Sequence, residues 1–311
     1  MDKSEEVITV SAVPAKPPLP YKARDVVLPG DAACQGCPIP IALKVLSAVF
    51  GEKMILVVPA CCTSVVVGIY PGQSLRASII HVPFAAAASV ASGVANALKM
   101  RGISDVQVIA WAGDGGTADI GMAALSGVAE RNEDMIYIMY DNEAYMNTGI
   151  QRSSSTPKGA WTTTTPVIGK EEHKKDVAKI LVAHNVPYVA TASVGYPHDL
   201  YSKLQRAKSI RGFRYIQIHA PCPPGWRFDP KYTARMAKLA VETGFWILYE
   251  YYNGKLLLSG PSRPLLDPSK RKPIEEYLKL QGRYRSITPE LVNSIKEYIE
   301  SNWDWVKRYL Q

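Results

Sequence analysis

Apolar residues recur in two rhythms along this chain. Continuous apolar runs rich in Val, Ile and Tyr mark buried strands, and apolar positions three and four apart mark helices. Met54 to Pro59 (MILVVP), Val106 to Ala112 (VQVIAWA), Met135 to Tyr140 (MIYIMY), Pro187 to Ala192 (PYVATA) and Phe213 to Ala220 (FRYIQIHA) read as strands. Helices are expected over Ile39 to Phe50, Phe84 to Met100, Lys170 to His184, His198 to Ser209 and Ala234 to Thr243. A further helix, from Thr117, would bury Ile120, Ala124 and Val128, with Leu125 beside them. In the helix after Lys170, Val177, Ile180, Leu181 and His184 share a face. The stretch FWILYEYYNGKLLLSG predicts a hairpin turning at Asn253-Gly254. Strands alternating with helices define an α/β protein with a doubly wound, mostly parallel sheet and helices on both faces. Three segments follow: a Pro-rich N-terminal arm over 1–24, the sheet domain over 25–250, and a basic, Pro-punctuated C-terminal extension over 251–311.

Composition narrows the class. With 47% hydrophobic and 21% charged residues in 311, the chain reads as a soluble globular protein. No apolar run reaches the ~18 uncharged residues of a membrane span. The longest weakly polar run, Val82 to Leu98, is Ala- and Ser-rich and suits a close-packed buried helix. The N-terminus lacks the basic-then-apolar order of a secretory signal, so a cytoplasmic location is expected. Net charge is +8 with pI near 9.1, which draws acidic partners. The basic residues are scattered, with no arm and no aromatic-interleaved reader motif, which argues against nucleic acid.

The chemistry gathers in one βαβ unit, Val106 to Gln151. Its first strand breaks at Gly113-Asp114-Gly115-Gly116, and its second ends in Asp141-Asn142-Glu143. In a right-handed parallel unit the two carboxyl strand ends lie side by side, so Asp114 and Asn142 can converge across 28 positions. Mg²⁺ takes oxygen ligands in an octahedron and keeps phosphate oxygens in its shell. One carboxylate, one amide oxygen and one main-chain carbonyl would hold it against a diphosphate. The glycines would let the backbone approach, and the helix N-terminus would offer N–H groups. The polar stretch Ser153 to Lys170 is long for an unstructured loop, which marks it as functional.

Five cysteines stand at Cys34, Cys37, Cys61, Cys62 and Cys222. Cys34-Gln-Gly-Cys37 is a C-x-x-C, and the other three follow predicted strand ends, where a sheet gathers them. Four soft thiolates fit zinc or an iron–sulfur cluster, and a reduced redox pair with packing cysteines is the plainer alternative. His81, His173, His184, His198 and His219 show no metal-ligand spacing.

The GDG, followed by an Asn at the next strand end, resembles the thiamine diphosphate fingerprint. More narrowly, Asp141 to Pro166 (DNEAYMNTGIQRSSSTPKGAWTTTTP) resembles the β subunit of pyruvate:ferredoxin oxidoreductase and its 2-oxoacid relatives, with similarity from about Gly30 to about Gly254. The resemblance implies a thiamine diphosphate-binding fold. It implies that Asp114, Asn142 and the Ala144 carbonyl hold Mg²⁺ beside Gly113, Gly115 and Gly116, and that Asn147 faces the reacting centre. It also implies a 4Fe–4S cluster on Cys34, Cys37, Cys62 and Cys222, the last within PCPPGW. Cys61 is then a packing residue close to the cofactor. Three departures bear on the substrate: Asp31 replaces a family His, Pro38 a Gly, and Phe84-Ala85-Ala86 a Phe-Glu-Asn.

By this resemblance the chain is the catalytic β subunit of a 2-oxoacid oxidoreductase that converts pyruvate and coenzyme A to acyl-CoA and CO₂ and reduces ferredoxin. The loop from Ser153 would cover the cofactor. Neither a glutamate to activate the aminopyrimidine nor a ferredoxin-like cysteine run is identified here. The resemblance places these on separate α and δ subunits, with a γ subunit completing the complex. Alternatives are the same chemistry on 2-oxoisovalerate or oxalate, a non-oxidative thiamine diphosphate enzyme, or a zinc-binding structural subunit.

Overall fold

The structure is a computed structural model that describes residues 26–310, so the arm expected over 1–24 lies outside it. Eight strands form one sheet in the order β2-β1-β3-β4-β6-β5-β7-β8. They are β1 (Met54–Pro59), β2 (Ser78–Val82), β3 (Gln107–Gly113), β4 (Met135–Asp141), β5 (Tyr188–Ser193), β6 (Phe213–His219), β7 (Tyr249–Tyr252) and β8 (Lys255–Leu258). The first six run parallel; β7 pairs antiparallel with β5, and β8 with β7. Position 250 falls inside β7, so the sheet continues into the segment expected as an extension.

The central strands β1, β3 and β4 are largely apolar because both faces of the sheet are covered there. Along β3, Val108, Ala110 and Ala112 enter one core while Ile109 and Trp111 enter the other. The same alternation divides Tyr137 and Met139 from Ile138 and Tyr140 in β4. On one face, α1 (Ile39–Phe50) packs against α6 (Pro197–Ser209). The other face carries α3 (Ala87–Met100), α4 (Met122–Glu130), α5 (Val177–Ala183) and α8 (Thr233–Glu242). Short helices α2 (Cys62–Val67) and α7 (Pro223–Trp226) follow β1 and β6. Two last helices, α9 (Ile274–Lys279) and α10 (Pro289–Tyr309), close the chain. No helix among the described residues is long and apolar enough to cross a membrane.

Several expectations are displaced. The helix after β3 starts as a π turn, Gly115–Asp119, and becomes α-helical only at Met122. Ile120 is consequently 55% exposed, and Leu125, Val128 and Ala129 form the buried face. In α3 only Ala87, Ala88, Ala91 and Ser92 are buried; its outer face is open, with Met100 89% exposed. Lys170 to Asp176 is not helical. The Asp176 carboxylate accepts the Lys179 N–H at 3.0 Å and starts α5 there. Strand β2 is unanticipated: it is a short edge strand with no fully buried residue. The hairpin turns where expected, with φ of 51° at Asn253 and 77° at Gly254, as a two-residue primed turn requires.

Candidate active site

The order β1-β3-β4-β6 places four consecutive strand tips on one rim. These tips carry Ala60-Cys61-Cys62, Gly113-Asp114-Gly115-Gly116, Asp141-Asn142-Glu143-Ala144 and Ala220-Pro221-Cys222. The chain goes from β1 outward to β2 and then back across to β3, so the β1/β3 tips form the switch-point crevice where open α/β sheets bind ligands.

Three oxygens meet at the β3/β4 tips. The Asn142 side-chain oxygen lies 2.8 Å from Asp114 Oδ1 and 3.0 Å from the Ala144 carbonyl. Oxygens so close repel unless a proton or a cation lies between them. Rotating the amide would supply two N–H donors. The present orientation has its own logic, because adjacent oxygens in an octahedron of radius ~2.1 Å stand about 3 Å apart. It also directs the Asn142 Nδ2 towards Cys62 Sγ, at 4.0 Å. Asp114 is 1% exposed and accepts a 2.5 Å hydrogen bond from Ser153 Oγ. Burial, and then the neighbouring Asp141 charge, push its carboxyl well above the usual range. No lysine or arginine among the described residues pairs with it. The donor set therefore fits Mg²⁺, which would supply the missing positive charge.

Behind these ligands lies a buried charge network. Lys174 Nζ reaches Asp141 at 2.9 Å and Glu143 at 3.0 Å, and Arg283 reaches Glu143 at 2.6 Å. Burial alone would raise the Glu143 pKa, but the two cations outweigh it and bring it down to about 2. Trp226 Nε1 donates to the Asn142 carbonyl at 2.8 Å. His219 is buried among Trp226, Trp246 and Tyr277, and burial lowers its pKa to about 3, so it is neutral.

Packing also requires these glycines. A Cβ on Gly115 would stand 2.3 Å from the Tyr145 ring, one on Gly116 3.1 Å from Phe84, and one on Gly113 3.2 Å from the Tyr140 hydroxyl. Aromatic side chains already crowd this turn. Tyr145 is fixed by its hydroxyl, which donates to Asp119 at 2.9 Å.

Cys34, Cys37, Cys62 and Cys222 line a single pocket with Asn142 and Asn147. Asn147 is exposed at its mouth. Burial raises the thiols of Cys37 to about 11 and of Cys222 to about 12, and raises Cys62 as well. Cys61 is 8% exposed and caps α2, where Ser64 Oγ accepts its N–H at 3.2 Å. No three His, Cys, Asp or Glu side chains among the described residues converge tightly enough for one metal ion. Thiols ringing a pocket suit a multi-iron cluster with one thiolate per iron better than a zinc tetrahedron.

The loop from Ser153 is built into this site at its start. Ser153, Ser155 and Thr156 are fully buried, and Thr156 Oγ1 donates to the Glu143 carbonyl at 2.7 Å. Lys170 Nζ donates to the carbonyls of Ser154 and Thr156, each at 2.8 Å. Lys174 and Arg283 have no sequence signal as site residues. Lys174 stands in a charged run that reads as surface, and Arg283 is 140 positions from its partner.

These features define a thiamine diphosphate enzyme fold. The family of thiamine pyrophosphate enzymes, C-terminal TPP binding domain, matches residues 60–218. The chain belongs to the 2-oxoacid:ferredoxin oxidoreductase family, as a β-type subunit. Ketoisovalerate oxidoreductase subunit VorB of Pyrococcus horikoshii is 47% identical over 288 residues, covering 90% of this chain and 91% of that one. Pyruvate synthase subunit PorB of Methanothermobacter thermautotrophicus is 48% identical over 281 residues, covering 89% and 96%. A solved structure of 2-oxoglutarate:ferredoxin oxidoreductase from Magnetococcus marinus shares the fold, with a TM-score of 0.58, 20% identity and 91% of each chain covered.

Proposed function

We propose that this chain is the thiamine diphosphate- and cluster-carrying subunit of an enzyme that decarboxylates pyruvate oxidatively with coenzyme A. The products are acyl-CoA and CO₂, and two electrons pass singly through a 4Fe–4S cluster to ferredoxin. Asp114, Asn142 and the Ala144 carbonyl hold Mg²⁺. The backbone of Gly113, Gly115 and Gly116 lies along the diphosphate. Cys34, Cys37, Cys62 and Cys222 hold the iron, Cys61 packs beside the cofactor, and Asn147 faces the substrate carbonyl. Bound thiamine diphosphate supplies an electron sink for the carboxyl-bearing carbon. The chain contributes charge balance at Asp114, a fixed amide at Asn142, and walls that exclude water.

One observation carries this reading: the Asn142 amide stands between the Asp114 and Ala144 oxygens on one side and Cys62 Sγ on the other. A cofactor site sharing one side chain with a thiol pocket makes sense when electrons leave singly, which zinc cannot support. The α, γ and δ subunits and ferredoxin complete the system, since the relatives are themselves named as subunits. A second substrate, 2-oxoisovalerate, is supported by VorB, which is about as similar to this chain as PorB is. The test is metal analysis of the anaerobically purified protein. Iron with equimolar sulfide is expected; zinc, or neither metal, overturns the reading. Comparing kcat/KM for pyruvate and 2-oxoisovalerate then decides the substrate.

A further inference from the structure

Between the two oxygen-bearing residues Asn142 and Ala144 stands an acid that points the other way. Glu143 is fully buried, and its φ of 67° lies in the left-handed region that residues other than glycine rarely adopt. That backbone turn lets the Asn142 side chain and the Ala144 carbonyl face one point. An unpaired carboxylate in this position would seek water and undo the turn. It is held by Lys174 at 3.0 Å and by Arg283 at 2.6 Å.

Arg283 comes from the last thirty residues of the chain and is itself fixed. Its Nε donates to Gln281 Oε1 at 2.8 Å, and its guanidinium lies 3.8 Å from the centre of the Trp226 ring. Trp226 in turn holds the Asn142 carbonyl. One side chain therefore anchors the residue between the two oxygen donors and braces the indole that binds the first of them.

We propose that Arg283 is a positioning residue for the metal loop: with Glu143 it sets the backbone turn that aims Asn142 and Ala144 at the cation. This rests on the Mg²⁺ reading above. Lys174 cannot replace it, because Lys174 is shared with Asp141 and approaches Glu143 through the other carboxylate oxygen.

The test measures thiamine diphosphate binding to the full-length chain by calorimetry, as a function of Mg²⁺ concentration. In Arg283→Met the half-saturating Mg²⁺ should rise at least tenfold, and in Arg283→Lys less than threefold. The double variant Glu143→Gln/Arg283→Met removes both charges and leaves no buried ion unpaired, so it folds where Arg283→Met does not; it should also show at least a tenfold rise. A residue that only stabilises the fold would lower the melting temperature and leave the Mg²⁺ dependence of the folded protein unchanged. Wild-type Mg²⁺ dependence in the folded double variant, or in folded Arg283→Met, overturns the proposal. Asp114→Ala separates the two levels. If it too binds as wild type, the metal site itself is wrong; if it loses Mg²⁺-dependent binding while the double variant keeps it, only the role of Arg283 fails.

Discussion

Gly115→Ala offers a test in which two simple arguments give opposite signs. Gly115 is not in the left-handed region, so an alanine there fits the backbone. Replacing glycine where the conformation is compatible normally stabilises by ~0.4–1 kcal/mol, by restricting the unfolded chain. Here the new Cβ would lie 2.3 Å from Tyr145 Cε1 and 2.4 Å from Cδ1. Carbon atoms pack best at ~3.5–4.0 Å, so the ring must move by more than an ångström. Moving it breaks the hydroxyl contact with Asp119 at 2.9 Å and the contact with Phe84, whose ring centroid is 5.9 Å away. The half-exposed hydrogen bond to a carboxylate is worth ~1–2 kcal/mol and the aromatic pair ~0.5–1 kcal/mol. Less the entropic gain, the net is a loss of about 1.5 kcal/mol, or about 2 °C in melting temperature for a chain of this size. Thermal and urea unfolding of the apo chain measure it. Adding Tyr145→Ala should recover at least ~1 kcal/mol of the loss, as a coupling between touching residues. If Gly115→Ala is as stable as wild type, or if the double variant shows no coupling, the close packing of Tyr145 on this turn is wrong.

Three other outcomes are expected. Asp114→Ala should abolish Mg²⁺-dependent thiamine diphosphate binding, and retained affinity by calorimetry would remove Asp114 from the ligand set. Cys62→Ser should lose iron or make it oxygen-labile while Cys61→Ser keeps it; iron content and the reduced-cluster spectrum decide, and the opposite pattern reverses the assignment. His219 titrates near 3 when folded and near 6.5 when unfolded. The unfolded chain thus binds the extra proton between these values, and stability should fall by up to ~4 kcal/mol as pH drops from 6.5 to 3. His219→Phe should flatten that slope in acid unfolding followed by circular dichroism; an unchanged slope assigns the acid sensitivity to other groups.

Local signals were legible and distant ones were not. Helix α1 and strand β1 begin and end where their apolar rhythm does, and Asn253-Gly254 turns the hairpin because two consecutive positive φ angles suit those residues. The GDG and Asn142 pair because strands joined by a single crossover helix commonly lie side by side, as β3 and β4 do. The start of α5 differs from the expectation because helical spacing from Val177 onward extends formally back through EEHKKD, whereas the chain there is irregular and buries Lys174. Strand β2 escaped because an edge strand with half-exposed residues lacks a clean period. Ile120 falls on a helical face by spacing alone, since nothing in a sequence distinguishes a π turn from an α turn. Arg283 could not be found at all: its partner lies in another element, and only the packing of the C-terminal segment against Trp226 brings them together.

That contact has a consequence for biosynthesis. The ribosome releases Glu143 long before residue 283, and domains begin to organise as the chain emerges. Until the final stretch is made, Lys174 alone faces Asp141 and Glu143, so a nascent chain keeps one buried acid short of a counter-ion. A polypeptide cut short before Arg283 would carry all five cysteines, Asp114 and Asn142, yet leave Glu143 with one cation instead of two. The turn at Glu143 thus depends on a side chain synthesised 140 residues later.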